Sequence, residues 1–122
     1  MIGTLACWSP QPIFAQTDVT ETYLKNPSFE NQFTDWENSG MQSQTNTSFQ
    51  LKEGNTYVER WTGQGGQVAD CHVSQTLTTL KNGVYKLTAA AQNIQQNSPA
   101  TQSGAYVFAG NAQVAVGAAN DY

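Results

Sequence analysis

The chain has 122 residues, a length that makes one domain and allows a core without disulfides. Only 11% of its residues are charged and the formal net charge is −4. The five cations, Lys25, Lys52, Arg60, Lys81 and Lys86, are scattered, so no basic patch can form and neither nucleic acid nor an anionic membrane is expected as a partner.

Glutamine (14), asparagine (10) and threonine (14) make up close to a third of the chain, which gives a polar but neutral surface. Amides donate and accept hydrogen bonds and cost less to desolvate than ions, so such a surface suits neutral ligands. A chain this rich in amides could instead be low-complexity and disordered. The 3 Trp, 5 Tyr and 5 Phe, set in alternating runs, point to a folded protein.

Residues 1–16 are apolar and uncharged, and Ile13 and Ala15 fit the −3 and −1 positions of a signal-peptidase site before Gln16. They read as the remnant of a signal peptide, with the domain proper spanning residues 17–122. A lipoprotein signal ending at Cys7 fits less well, because Thr4 stands where leucine is wanted. No stretch approaches the roughly 20 apolar residues that span a bilayer. Without Cys7, Cys71 is alone, and with a single histidine, His72, neither a zinc site nor a Cys–His nucleophile pair has its parts.

Alternation predicts a first strand over Val19–Leu24, then an irregular loop from Asn26 to Asn38 in which Phe29 and Trp36 turn inward. A polar strand is expected over Ser43–Leu51 and a stronger one over Thr56–Trp61, between the turn signals Glu53-Gly54-Asn55 and Gly63-Gln64-Gly65-Gly66. His72–Leu80 should pair with Val84–Gln95 across Asn82-Gly83, two residues tolerant of positive φ. In that hairpin Val73, Leu77, Tyr85 and Leu87 would join Phe29 in the core, and Gln75 would bond a neighbouring strand. A last hairpin is expected from Ala105–Ala109 and Gln113–Ala118 around Gly110-Asn111. Helices should be absent or short. About seven short strands make an all-β, antiparallel sandwich.

Two motifs narrow this further: Asn26-Pro27-Ser28-Phe29-Glu30 followed by Trp36, and the run from Gln75 to Leu87, Gln-Thr-Leu-Thr-Thr-Leu-Lys-Asn-Gly-Val-Tyr-Lys-Leu. From about Tyr23 onward the chain resembles the carbohydrate-binding modules with a galactose-binding-like jelly-roll β-sandwich that are appended to secreted bacterial polysaccharide-active enzymes. The resemblance implies a secreted or cell-surface protein whose partners are a neutral carbohydrate and the catalytic domain of a larger protein. It also implies two or three further strands after Tyr122, the last bearing an aspartate and lying beside the first. The expectation is therefore a sandwich lacking its last strands, with an open edge over residues 112–122. In such modules the acid at Glu30 helps hold a structural calcium; otherwise Glu30 accepts hydrogen bonds from loop amides.

The strand around Tyr57 places Tyr57, Glu59 and Trp61 on one face. Aromatic rings stack on the apolar C–H face of a pyranose and a carboxylate accepts its hydroxyl protons, so this ridge is a candidate ligand site. The same aromatics could instead be core anchors. Tyr106, beside Asn111 and Gln113, is a further candidate platform. No catalytic residue is expected. The nine acids show no pair marked as acid and nucleophile, and there is no Gly-x-Ser-x-Gly, phosphate loop or His-Glu-x-x-His. The reading is a non-catalytic carbohydrate-binding module; the alternatives are a structural or protein-interaction spacer and, third, a fragment of a glycoside hydrolase.

Overall fold

The computed structural model describes residues 15–63, 66–95 and 101–119. The leader expected over residues 1–16 lies almost wholly outside them, as do the last three residues of the expected open edge. Within the described residues the chain is short strands with a single helical turn. The order is α1 (Thr20–Tyr23), β1 (Glu37–Ser39), β2 (Gln42–Gln44), β3 (Tyr57–Glu59), β4 (His72–Ser74), β5 (Asn93–Ile94), β6 (Tyr106–Ala109), β7 (Ala112–Ala115) and β8 (Ala118–Ala119). The strands pair two by two. Antiparallel ladders join β1 to β4, β2 to β3 and β6 to β7, while β5 and β8 run parallel.

The prevalence of strand agrees with the all-β expectation, but the four ladders are separate two-stranded sheets and do not close into a sandwich. No described residue is fully buried. Two-stranded ladders are marginal by themselves. What ties the β1–β4 and β2–β3 ladders to the loop before them is a set of side-chain amides and one carboxylate bonded to backbone 25 to 50 residues away.

The densest of these ties is the loop before β1. Its backbone takes positive φ at Asn26, Phe29, Gln32 and Asp35, every third residue, as one tight turn follows another. Phe29 N–H donates to Asn26 O, Gln32 N–H to Phe29 O, and Trp36 N–H to Phe33 O. A non-glycine residue in this region costs roughly 1–3 kcal/mol, so something must offset four of them. Asn26 does much of this. Its Nδ2 donates to the carbonyls of Gln32 and Thr34 at 2.9 and 3.1 Å, and its Oδ1 accepts from Asn31 N–H at 3.1 Å. Trp36 closes the loop, donating from Nε1 to Asn26 O at 3.0 Å with its ring 4.7 Å from that of Phe29. Both rings are half-buried.

Gln75 fastens this loop to β4. Its Oε1 accepts from Lys25 N–H at 2.8 Å, and its Nε2 donates to the carbonyls of Lys25 and Asp35, both at 3.0 Å. The expected inward-facing amide is there, half-buried, but its partners are loop backbone on either side of the turns rather than a strand.

The remaining differences have local causes. Val19–Leu24 is a helical turn and not a strand, because Asp18 Oδ1 accepts from Thr20 N–H at 2.9 Å and so satisfies an amide that a helix start leaves free. The long hairpin across Asn82-Gly83 does not form. Neither residue takes the positive φ that a type I′ turn requires. The strand-forming ends of that sequence pair elsewhere, His72–Ser74 with β1 and Asn93–Ile94 with β8. Tyr85 instead folds back on the bend, donating from its hydroxyl to Lys81 O at 2.9 Å and meeting Tyr23 edge-on at 6.0 Å. Tyr85 and Leu87, expected in the core, are therefore 45% and 47% exposed, while Phe29, Val73 and Leu77 are half-buried.

Two substitutions separate these roles. Asn26→Ala removes three hydrogen bonds that hold strained turns and should cost about 2–4 kcal/mol, at 0.5–1.5 kcal/mol per bond. Leu87→Ala should change stability by less than about 0.5 kcal/mol, as expected for an exposed side chain. Urea midpoints with unchanged m-values would show both effects.

Candidate functional site

The β2–β3 ladder is the scaffold of the candidate site. Gln42 faces Glu59, Ser43 faces Val58 and Gln44 faces Tyr57, so the pleat sets Tyr57 and Glu59 on one face with Gln44 and Gln42. Tyr57 and Glu59 are half-buried, and the Tyr57 ring meets Phe49 at 5.0 Å with the planes inclined by 57°. Phe49 comes from the connection between the two strands.

That connection encloses a shallow depression of about 250 Å³. Phe49 and Leu51 give it an apolar floor, and Thr45, Asn46, Thr47, Gly54 and Asn55 line the rest with neutral donors and acceptors. No charged side chain lines it. The sequence reading missed it by extending the polar strand through Leu51. The strand ends at Gln44 because Asn46 Oδ1 accepts from Ser48 N–H at 2.9 Å, a local turn that competes with the ladder. Asn46-Thr47-Ser48 was the signal for it.

Glu30 shapes one wall. Its Oε1 accepts from Asn55 N–H at 2.7 Å and from Thr56 N–H at 2.8 Å, linking the first loop to the turn before β3. Those two amides, Thr56 first and then Asn55, hold the Glu30 carboxyl below the usual carboxylate range. Gly54 makes the approach possible. It has φ +68°, and a Cβ there would lie 2.2 Å from Glu30 Oε1. Of the two roles expected for Glu30, the geometry realises the amide acceptor. Among the described residues no three acids, histidines or cysteines gather.

Trp61 follows β3 by two residues and is 62% exposed. Next to it, Arg60 Nη1 donates to Gly40 O at 3.2 Å, which ties the end of β3 to the β1–β2 turn. Tyr106 is 51% exposed on β6, opposite Ala115. Among the described residues β6 and β7 make no contact with β2 or β3. Tyr57, Glu59 and Trp61 thus belong to one stretch of chain, Tyr57 at the end of the ladder that meets the depression through Phe49 and Trp61 past the other end, beside the β1–β2 turn, while Tyr106 lies on its own hairpin.

The Glu30 linkage has a definite pH sign. A carboxyl whose folded pKa lies below its unfolded value of about 4.3 contributes stability above that pH and loses it as pH falls through the folded value. Asp18, lowered by its bond from Thr20 N–H, adds to the same slope. Urea midpoints taken from pH 7 downward should therefore fall below about pH 4.3 in the wild type. In Glu30→Gln the fall should be shallower and start from a lower plateau.

Compared with models of known protein families, with curated proteins and with solved structures, the chain matches none.

Proposed function

We propose that the chain is a non-catalytic carbohydrate-binding module that holds a neutral sugar against Trp61, with the depression at the other end of the β2–β3 ladder as a second contact for a longer glycan. The observation that carries this reading is the exposure of Trp61, 62% open to solvent. A spacer domain gains by covering its tryptophans, whereas a sugar platform needs the indole face free. The Trp61 ring would stack on the C–H face of a pyranose, and Glu59 would accept hydroxyl protons. Asn46, Asn55 and Thr47 would bond another unit of a longer glycan at the depression, with Phe49 braced by Tyr57. At about 250 Å³ the depression lies just under the usual range of ligand pockets, which suits one sugar ring of a longer chain.

In this reading the short strands belong to a galactose-binding-like jelly roll, in a secreted or cell-surface setting. The module is joined there to the catalytic domain of a larger polysaccharide-active protein and raises that domain's effective concentration on its substrate. Tyr106 is a second, separate platform. Glu30 serves the fold by pinning the turn at Asn55 and Thr56.

Binding to neutral oligosaccharides should be weak, on the order of micromolar to millimolar, because few contacts must offset the cost of ordering the sugar. It should also be nearly independent of salt, unlike binding to a polyanion. By isothermal titration Trp61→Ala should lose at least about tenfold in affinity while its urea midpoint moves by less than about 0.5 kcal/mol equivalent. If Trp61→Ala instead unfolds the chain, or a glycan array returns no neutral ligand, the sugar reading fails.

A further inference from the structure

The segment after the Asn82-Gly83 bend has a strand's sequence without a strand's partner. From Val84 to Gln92 the backbone runs with no turn, no bend and no ladder, and among the described residues no backbone hydrogen bond reaches it. Every residue from Val84 to Gln92 is exposed, Val84 completely. Yet Val84-Tyr85-Lys86-Leu87-Thr88-Ala89-Ala90-Ala91 alternates as a strand does, and it carries a single charge and no proline. Natural edge strands are protected by charges, prolines, bulges or covering elements. Here one lysine is the whole protection, and the bare N–H and C=O groups can be satisfied by another strand.

We infer that residues 84–90 pair antiparallel with the same residues of a second copy, with Leu87 on the twofold axis. The side chains choose this register. With Leu87 opposite Leu87, Tyr85 faces Ala89 and Val84 faces Ala90, large against small. Tyr85, Leu87 and Ala89 of both copies then share one face, and Lys86 lies opposite the Thr88 hydroxyl. A shift by one residue mixes the apolar face with Lys86 and Thr88, and centring on Lys86 sets like charges against each other. Tyr85 is already held by Tyr23 and by Lys81 O, so one end of the segment is ordered before it pairs. The inference stands independently of the sugar site. A dimer would, however, present two copies of whatever weak site the chain bears, and linked weak sites gain through effective concentration.

The test is sedimentation velocity on the full 122-residue chain across a range of concentrations, with hydrogen exchange in parallel. The wild type should form dimers, with slowed exchange over residues 85–89. Thr88→Lys sets two lysine pairs face to face and should weaken the dimer by about tenfold. The double variant Lys86→Glu with Thr88→Lys should restore it, now with a salt dependence. Both positions are exposed, so at concentrations where all three chains are monomeric their circular dichroism should be the same. A monomeric wild type with unprotected amides at 85–89 overturns the inference. So does a double variant that stays as weak as Thr88→Lys, which would place another register, or another surface, at the contact.

Discussion

The structure depends on side-chain amides bonded to backbone that would otherwise have no partner. Asn26 and Gln75 supply six such bonds between them, and all of them converge on residues 25–35. The loop they hold contains four residues at positive φ, a conformation it would abandon in isolation. Because Gln75 directly follows β4, and Trp36 directly precedes β1, the amide network sets the two strands at matching heights, and the Glu37–Ser74 register follows. The ladder is three residues long on each strand and could not set that register alone.

Glu30 extends the same device to the second ladder. One carboxylate oxygen gathers the amides of Asn55 and Thr56, and Gly54 leaves it room. Charge-assisted bonds of this kind are shorter and stronger than neutral ones, which suits a turn with little apolar packing behind it. The depression beside β3 is a consequence. Its polar rim is set by the turn that Glu30 pins and its floor by Phe49 against Tyr57, so the depression depends on a residue outside it.

Much of this was legible from local chemistry. The irregular loop with Trp36 closing it, the strand at Tyr57, the hairpin around Gly110-Asn111 and the inward amide of Gln75 all follow from patterns a few residues long. Local chemistry failed where two local options compete. Asp18 turned a β-like run into a helical turn, and Asn46 cut a strand to three residues, each by capturing a nearby amide. The Asn82-Gly83 hairpin failed for a different reason. Its two arms had better-matched partners in β1 and β8, which lie far away in sequence.

Composition and alternation by themselves determined that the described residues are β-rich with a single helical turn and that the surface is rich in neutral polar groups, because each of these depends only on residue type and a period of two. Only the tertiary structure decided which strands meet, that Trp61 stays exposed while Tyr57 is covered, and that Glu30 reaches the turn at Asn55. It also decided that Leu87 lies outside the packing. Those outcomes rest on hydrogen bonds and ring contacts spanning up to 62 residues, from Tyr23 to Tyr85, and no window along the chain contains both partners.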